Sequence, residues 1–288
     1  MFHLSRWLRL SEAFTRLNRP VVVVDLESTG GNLYQDRVTE IAFLRFENGR
    51  VEHYEQLINP GKPIPEFVVQ LTGITNEMVA QAPAFDQIAP DILPLLRGSL
   101  IVAHNSRFDY TFLRHEFCRA GIDFAAPALC TVQLSRRLYP QFYKHNLDSI
   151  ISRMGIQTDD RHRALADVLA LADYLEHSLK EKTPDEWDNH CRALMNPKML
   201  PTQLSDSLTA KLYSLPDTVG VLVWFDHSGK VLSVEAYEKT YSEIAALLHS
   251  KEGLQYIQNA ADVKFIPAVG SLHALWLKAQ VMQEYQEE

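Results

Sequence analysis

Two acidic side chains at the end of a hydrophobic run are the feature of this 288-residue sequence that most directly indicates chemistry. Residues 21–24 are consecutive valines, typical of a strand buried on both faces, and Asp25 and Glu27 follow them. Because strand side chains alternate, both carboxylates project to one side. Each raises the pKa of the other, and a hard divalent cation bound through oxygen relieves that repulsion. A turn cap at Asp25 with a solvated Glu27 explains the pair equally well.

A third acid follows a second short hydrophobic strand, predicted at residues 100–103. The segment His104-Asn105-Ser106-Arg107-Phe108-Asp109 comes directly after it. Asn105 or Ser106 can cap the helix that begins here, which places Asp109 in the first helical turn. The helix macrodipole favours a negative charge there, so a purely structural role for Asp109 is supported at least as well as a catalytic one.

A histidine and a fourth acid lie near the start of a later helix, which is predicted to run to about Leu179. Five residues on a regular helix rotate a side chain by roughly 140°, so His162 and Asp167 would not share a face. Both can serve one site only if His162 lies on the preceding loop or in a frayed first turn. An imidazole with an ordinary pKa of about 6.5 suits general-base work near neutral pH. Taken alone, a histidine followed by an acid is usually unremarkable.

The elements between these residues predict a mixed sheet with helices around it. Alternating segments at 38–46 and 51–58 predict two antiparallel strands joined at Asn48-Gly49. Glu40 lies in the first of them and could either support the acidic site or lie on the surface. Further elements are predicted as helices at 85–96 and 147–154 and a short strand at 128–132.

The four acids are therefore expected at one edge of an α/β sheet, where strand ends and helix starts form sites. Four carboxylates can hold two Mg²⁺ or Mn²⁺ ions roughly 3.5–4 Å apart. This arrangement serves in-line displacement at a phosphodiester, and His162 would be the nearby general base.

Length, charge and cysteine usage limit the classes of protein to which this sequence could belong. The length suits one large and one small domain, and no stretch is apolar enough to span a bilayer. Three scattered cysteines are too few for a disulfide framework or a zinc site, which predicts a cytoplasmic protein. The net charge of −8 argues against a broad nucleic-acid-coating surface but allows a local basic cleft.

Four segments are predicted along the chain. They are an amphipathic N-terminal helix at 1–19, an α/β domain at 20–182, a helix and linker at 183–207, and a small α/β module at 208–288. Pro, Ser and Thr content predicts the linker. Within it, residues 203–208 faintly suggest a peptide that docks a sliding clamp, although a plain linker is the better interpretation.

The chemical residues together resemble a known family. Asp25-x-Glu27, His104-Asn105-x-x-Phe108-Asp109 and His162-x-Ala164-x-x-Asp167 look like the three motifs of DEDDh 3′→5′ exonucleases. The resemblance covers about residues 20–180 and is greatest to the branch of the proofreading epsilon subunit of bacterial replicative DNA polymerase. It implies an RNase H-like mixed β-sheet flanked by helices.

The resemblance also implies a role for each residue. Asp25, Glu27 and Asp167 would ligate one metal ion, with Asp25 bridging to a second, and Asp109 would act mainly through a water. His162 would deprotonate the attacking water, and a nucleoside 5′-monophosphate would leave. The candidate substrate-binding residues are Leu26, Thr29, His104, Asn105 and Phe108. Four cations could contact phosphates or equally remain solvated: Arg107, Lys144, Arg161 and Arg163.

The C-terminal module resembles a GIY-YIG nuclease domain through residues 215–221 and Gly270-Ser271-x-His273. It departs from that family at the chemical positions. Leu222 and Ser233 replace tyrosines, Glu235 replaces the second glycine, Lys278 replaces the metal-binding glutamate, and no arginine follows Arg192. The expectation is a degenerate nuclease fold kept for packing, dimerisation or a protein partner.

The expected activity is metal-dependent removal of nucleotides from a single-stranded or frayed 3′ end during proofreading or repair, with DNA favoured over RNA. An RNA substrate stays open, because no residue reads a 2′-hydroxyl unambiguously. A non-catalytic scaffold that binds a polymerase or repair partner is the other alternative.

Overall fold

The computed structural model describes residues 4–122, 124, 126–158, 161–195, 200–201, 203–216 and 218–285. The chain divides into two compact units, residues 1–196 and 197–288. No helix in these ranges is both long and apolar enough to cross a membrane.

The first unit is built on a five-stranded mixed sheet. Its strands are β1 (Val21–Ser28), β2 (Val38–Glu47), β3 (Arg50–Leu57), β4 (Leu100–Ala103) and β5 (Ala128–Cys130), and their order in the sheet is β3-β2-β1-β4-β5. The first three strands are antiparallel, whereas β4 runs parallel to β1 and β5 parallel to β4. The valines of β1 are buried on both faces, as the unbroken β-branched run predicts.

Helices cover this sheet. They are α1 (Leu8–Thr15), α2 (Glu66–Thr72), α3 (Asn76–Ala80), α4 (Phe85–Leu96), α5 (Ser106–Arg119), α6 (Thr131–Leu138), α7 (Leu147–Met154), α8 (Ala164–Glu181) and α9 (Pro184–Met195). The predicted fold class is confirmed: this is an RNase H-like mixed sheet flanked by helices. The predicted strand at 128–132 is shorter, because α6 begins at Thr131.

The N-terminal helix and α9 belong to the core of the first unit. Phe14 and Trp187 are buried in the same hydrophobic cluster as β1, and their ring centroids lie 6.2 Å apart. Arg16 and Asp188 add an ion pair at 2.6 Å between the two helices. The unit therefore extends beyond the predicted 20–182 boundaries in both directions.

The second unit has a three-stranded antiparallel sheet. Its strands are β6 (Gly220–Asp226), β7 (Val231–Tyr237) and β8 (Ala260–Pro267) in the order β7-β6-β8, and its helices are α10 (Asp206–Tyr213), α11 (Thr240–Leu248), α12 (Leu254–Asn259) and α13 (Ser271–Glu284). The helix α12 is not predicted from the sequence.

The segment 203–208 is part of the second unit's core, which corrects both sequence interpretations of it. Leu204 and Leu208 are buried in a cluster with Trp224. The Ser205 hydroxyl accepts a hydrogen bond from the Leu208 backbone N–H at 3.2 Å and caps α10. Buried leucines are not available to a sliding clamp, and a capped helix is not a linker. Residues 196–199 and 202 of the predicted linker lie outside the described residues.

Candidate active site

Three of the predicted acids meet at the end of the central strand. Asp25 and Glu27 lie on β1, and Asp167 lies in the first turn of α8. One carboxylate oxygen from each of the three lies within 4.8 Å of the others. Oxygen ligands at this spacing fit a hard divalent cation such as Mg²⁺ or Mn²⁺.

Asp109 lies beside this group without being part of it. It is in the first turn of α5 as predicted, is 3% exposed, and accepts hydrogen bonds from its own backbone N–H and from that of Leu26. Its charge contributes to raising the pKa of both Asp25 and Glu27. The fourth acid therefore belongs electrostatically to the same site.

The cluster is short of positive charge. Burial, followed by the charges of Glu40 and Asp109, raises the pKa of Glu27 to about 8. Burial also raises the pKa of Asp109 to about 8. The pKa of Asp25 lies well above its ordinary value, first through burial and then through its two acidic neighbours Asp109 and Glu27. A bound divalent cation would stabilise the charged form of all three carboxyl groups and so oppose these shifts.

Arg161 supplies part of the missing charge. Its Nη1 donates to Oδ1 of Asp167, and its Nε and Nη2 contact Oδ1 of Asp148 on α7 at 2.8 and 2.7 Å. Its charge lowers the pKa of Asp25 and of Glu27. Of the two sequence alternatives for Arg161, phosphate contact and a solvated surface position, the structure shows neither, because the guanidinium is ion-paired at the acidic cluster.

Arg163 and Glu40 fix the start of α8. Glu40 is fully buried, pairs with the Arg163 guanidinium at 2.6 Å, and accepts a hydrogen bond from the Ala164 backbone N–H at 2.9 Å. The surface alternative for Glu40 is therefore wrong. Because α8 begins at Ala164, this contact also sets the position of Asp167 one turn later. Arg163 is an anchor of this turn rather than a solvated side chain.

His162 lies in the turn before α8, where the rotation argument requires it. Its φ of 63° is in the left-handed region, which few non-glycine residues adopt. Asn105 has a similar φ of 74° at the N-cap of α5, and it makes no side-chain capping hydrogen bond. The predicted cap by Asn105 is thus wrong in its chemistry, although the helix does begin at Ser106. Such backbone conformations occur preferentially at functional sites.

The other predicted substrate-binding residues differ in availability. His104 donates or accepts at Nδ1 with the Thr131 hydroxyl at 2.9 Å, and burial lowers its pKa to about 4, so the imidazole is neutral near pH 7. Phe108 packs edge-on against Phe112 with centroids 4.8 Å apart. Leu26 and Thr29 are both buried, and the Thr29 hydroxyl donates to Asp36 at 2.9 Å.

Sequence reasoning missed Asp148 and the pairing of Glu40 with Arg163. Asp148 lies on α7, 13 residues before Arg161 in the turn that precedes α8, and no local pattern marks it. The one sequence signal for these ion pairs is the Arg-His-Arg run at 161–163. Its two arginines flank the candidate base, and several acids are predicted nearby with which they could pair.

The sheet order defines an RNase H-like fold, and the acidic cluster lies on its central strand and the helix packed beside it. A family model described as Exonuclease matches residues 22–175, and the chain belongs to this family.

Three relatives show how much of the chain this similarity covers. The chain is 34% identical over 167 residues to the DNA polymerase III subunit epsilon of Aquifex aeolicus (strain VF5), which covers 57% of this chain and 83% of the relative. It is 38% identical over 149 residues to the 3'-5' exonuclease DinG of Bacillus subtilis (strain 168), which covers 51% of this chain and 16% of the relative. The chain thus spans less than a fifth of the length of DinG, and 12% of a Clostridium perfringens PolC-type DNA polymerase III.

A solved structure agrees on the fold. The structure of exonuclease I superposes with a TM-score of 0.56 at 16% identity, covering 93% of this chain and 71% of that chain.

Proposed function

We propose that the first unit is a metal-dependent 3′→5′ exonuclease of the DEDDh subtype. It would release nucleoside 5′-monophosphates from single-stranded or frayed 3′ ends, of DNA in preference to RNA, in proofreading or repair in the cytoplasm. The observation that carries this proposal is the group of three carboxylates within 4.8 Å, with Asp109 beside it. The relatives named as an epsilon subunit and as a 3'-5' exonuclease support the direction of digestion and the replication role.

The residues divide the work as follows. Asp25, Glu27 and Asp167 would hold the cations, and Asp109 would bind one through a water. Two bound Mg²⁺ or Mn²⁺ ions would supply an activated water and stabilise charge on the departing 3′ oxygen. His162 would take the proton of the attacking water, which its place on the turn before α8 permits. His104, neutral near pH 7, would bind the terminal nucleotide as a hydrogen-bonding group, with Leu26, Thr29, Asn105 and Phe108 around it.

The test is digestion of 5′-labelled deoxy- and ribo-oligonucleotides of one sequence in Mg²⁺, Mn²⁺ or EDTA. We expect a ladder that shortens from the 3′ end, nucleoside 5′-monophosphates as products, and no reaction in EDTA. Faster digestion of the ribo-oligonucleotide would replace the DNA assignment with the RNA alternative. An absence of digestion with either metal ion would favour the scaffold alternative.

The second unit, in our proposal, is a degenerate nuclease fold without activity of its own, kept for packing or for a protein partner. Glu235 and Lys278, which stand where GIY-YIG nucleases carry a glycine and a metal-binding glutamate, form an ion pair with each other at 2.7 Å. The 288-residue chain carrying Asp25→Ala should therefore leave supercoiled plasmid DNA uncut in Mg²⁺ or Mn²⁺. Nicking by that variant would contradict the assignment.

A further inference from the structure

A cavity of about 420 Å³ opens beside the acidic cluster in the first unit. Its walls are the segment 142–144 and the α7 residues Asp148, Ser149 and Arg153. Nothing in the proposed mechanism uses this cavity, since the four acids and His162 lie outside its walls. The cavity nevertheless contains the chemical groups that bind single-stranded nucleic acid.

One guanidinium separates the cavity from the candidate metal ligands. Asp148 in the cavity wall accepts from Arg161 at 2.8 Å, and the same guanidinium contacts Asp167. Because this one guanidinium contacts both, a strand with its terminal phosphate at the acids has the cavity within reach of its next few nucleotides.

Tyr143 is the more exposed of the two aromatic residues that line this cavity, at 97% against 38% for Phe142. A fully exposed tyrosine buries no apolar area in this chain, so hydrophobic packing does not explain it. A flat aromatic ring in solvent is the group on which nucleic-acid bases stack, and such stacking tolerates any base sequence.

The backbone on both sides of Tyr143 is anchored. The Arg153 guanidinium lies 3.9 Å from the centroid of the Phe142 ring, and its Nη1 donates to the Lys144 carbonyl at 3.4 Å. The buried His145 donates from Nε2 to the Phe142 carbonyl at 2.9 Å. A base stacking on Tyr143 would therefore have to order its side chain but little of the backbone around it.

Lys144 places a positive charge next to this ring. Its side chain is exposed, and the carboxylate of Asp148 in the opposite wall is already paired with Arg161. An exposed cation beside an exposed aromatic ring is the combination that follows a single-stranded backbone while stacking its bases.

We propose that Tyr143 and Lys144 form a binding subsite for the single-stranded nucleotides upstream of the one being removed. Tyr143 stacks on a base, and Lys144 binds a phosphate of the same strand. This inference rests on the proposed exonuclease function and adds to it how a single-stranded substrate is held. It also predicts that affinity depends on substrate length, because a terminal nucleotide alone does not reach the subsite.

The test compares a long probe with a minimal one. Binding of a 5′-fluorescein-labelled single-stranded deoxydecanucleotide is measured by anisotropy with Ca²⁺ in place of Mg²⁺. Hydrolysis of the p-nitrophenyl ester of thymidine 5′-monophosphate, which contains only the terminal nucleotide, is measured with Mn²⁺. Tyr143→Ala should raise Kd for the decanucleotide roughly 5- to 100-fold and leave ester hydrolysis unchanged. Tyr143→Trp should retain the wild-type affinity.

Lys144→Gln tests the phosphate contact by its salt dependence. It should reduce the slope of log affinity against log salt concentration by about 0.7, the value for one phosphate contact on a single strand. Lys251→Gln is the matched control, because Lys251 is an exposed cation of the second unit and should change neither slope nor affinity.

Two failures are distinguishable. Wild-type affinity of the Tyr143→Ala variant for the decanucleotide, with an unchanged melting temperature, would overturn the subsite whether or not the ester is hydrolysed. Wild-type protein that hydrolyses neither ester nor oligonucleotide would overturn the exonuclease proposal, while the binding measurement would still decide the subsite.

Discussion

The two units of this chain differ in whether the carboxylates on their sheets have cationic partners. In the first unit, three carboxylates at the end of β1 lie within 4.8 Å of one another, and the Arg161 guanidinium is the group that pairs with one of them. In the second unit, the carboxylate on β7 pairs with a lysine of α13 at 2.7 Å, and the one at residue 262 of β8 pairs with a lysine of α10 at 2.8 Å.

This difference supports the proposed location of the active site. A fold can form without unneutralised carboxylates, so a buried cluster whose pKa values are raised supports the proposed site over a purely structural role. Glu235 and Lys278 provide the contrast, because each satisfies the charge of the other and neither needs a metal ion. The first unit keeps a charge deficit that a cation can fill, whereas at these positions the second unit has none.

The largest expected effect comes from removing one member of the cluster. Asp25→Ala deletes a ligand that would bridge two ions, and metal ions supply several kcal/mol of transition-state stabilisation. We expect the exonuclease rate to fall by roughly 10³-fold or more, and the Mg²⁺-induced rise in melting temperature to be lost. Glu235→Ala is the matched control in the second unit and should leave both quantities unchanged. A wild-type exonuclease rate in the Asp25→Ala variant would show that the proposed active site is wrong.

The next effect separates the base from the metal ligands. His162→Ala should lower the rate by roughly 10²–10⁴-fold, because general-base catalysis contributes that much. Calorimetry should give the same Mg²⁺ affinity as in the wild type, since the imidazole is not a proposed ligand. If affinity and rate fell together, His162 would be a structural element of the turn before α8 rather than a base.

The sequence predicted the positions of the catalytic candidates because each rests on local geometry. Strand alternation places Asp25 and Glu27 together, and helix starts place Asp109 and Asp167. The neighbours of these acids depend on tertiary contacts that no local pattern encodes. Glu40 and Arg163 are 123 residues apart, and β2 is buried on both faces, so the alternation used to predict that strand could not show whether Glu40 is buried.

Two features of the second unit were missed from the sequence, each for its own reason. Pro, Ser and Thr content predicted a linker through residue 207, yet Leu204 and Leu208 are core residues and Ser205 is a helix cap. Composition averages over such a segment, whereas packing depends on two leucines and one hydroxyl. The short α12 was missed because six residues carry too little periodicity to identify a helix.

A pH dependence should distinguish the two units without any substitution. In the metal-free protein the Glu27 pKa is about 8 against an ordinary 4.5, so the folded state holds this proton more tightly than the unfolded state. That contribution to stability is complete below about pH 4.5 and is lost as the pH rises through about 8. In EDTA, we expect the melting temperature of the transition that Mg²⁺ shifts to fall between pH 5 and pH 8. This fall corresponds to a loss of a few kcal/mol in the free energy of unfolding.

The same measurement in saturating Mg²⁺ should lose most of this slope, because the cation binds the deprotonated carboxylate. Glu27→Gln should reduce the slope in EDTA without abolishing it, because the pKa values of Asp25 and Asp109 are raised as well, whereas Glu235→Gln should not change it. An unchanged slope in the Glu27→Gln variant would show that the charge deficit lies elsewhere.

Arg161 sharpens the comparison, because it gives the first unit a partial version of the pairing found in the second. Arg161→Gln should lower the stability of the metal-free protein and tighten Mg²⁺ binding roughly two- to tenfold, since no guanidinium has to leave Asp167. Arg16→Gln breaks the ion pair with Asp188 away from the cluster and is the matched control. It should lower stability without changing Mg²⁺ affinity. Weaker Mg²⁺ binding in Arg161→Gln would show that the guanidinium positions the ligands instead of competing for them.

The smallest effect is expected where the charges are already satisfied. Lys278→Met breaks the ion pair with Glu235. The Lys278 side chain is 29% exposed and that of Glu235 42%, so solvent screens the carboxylate that remains. The free energy of unfolding of the second unit should fall by less than about 1 kcal/mol, and the exonuclease rate should not change. Lys211→Met, which breaks the comparable pair with Asp262, should behave alike. Two results would contradict this: a loss of several kcal/mol in the free energy of unfolding in Lys278→Met alone, or new Mg²⁺ binding by the second unit. Either would mean that the ion pair occupies a former cation site, and that the two units differ less than their charges indicate.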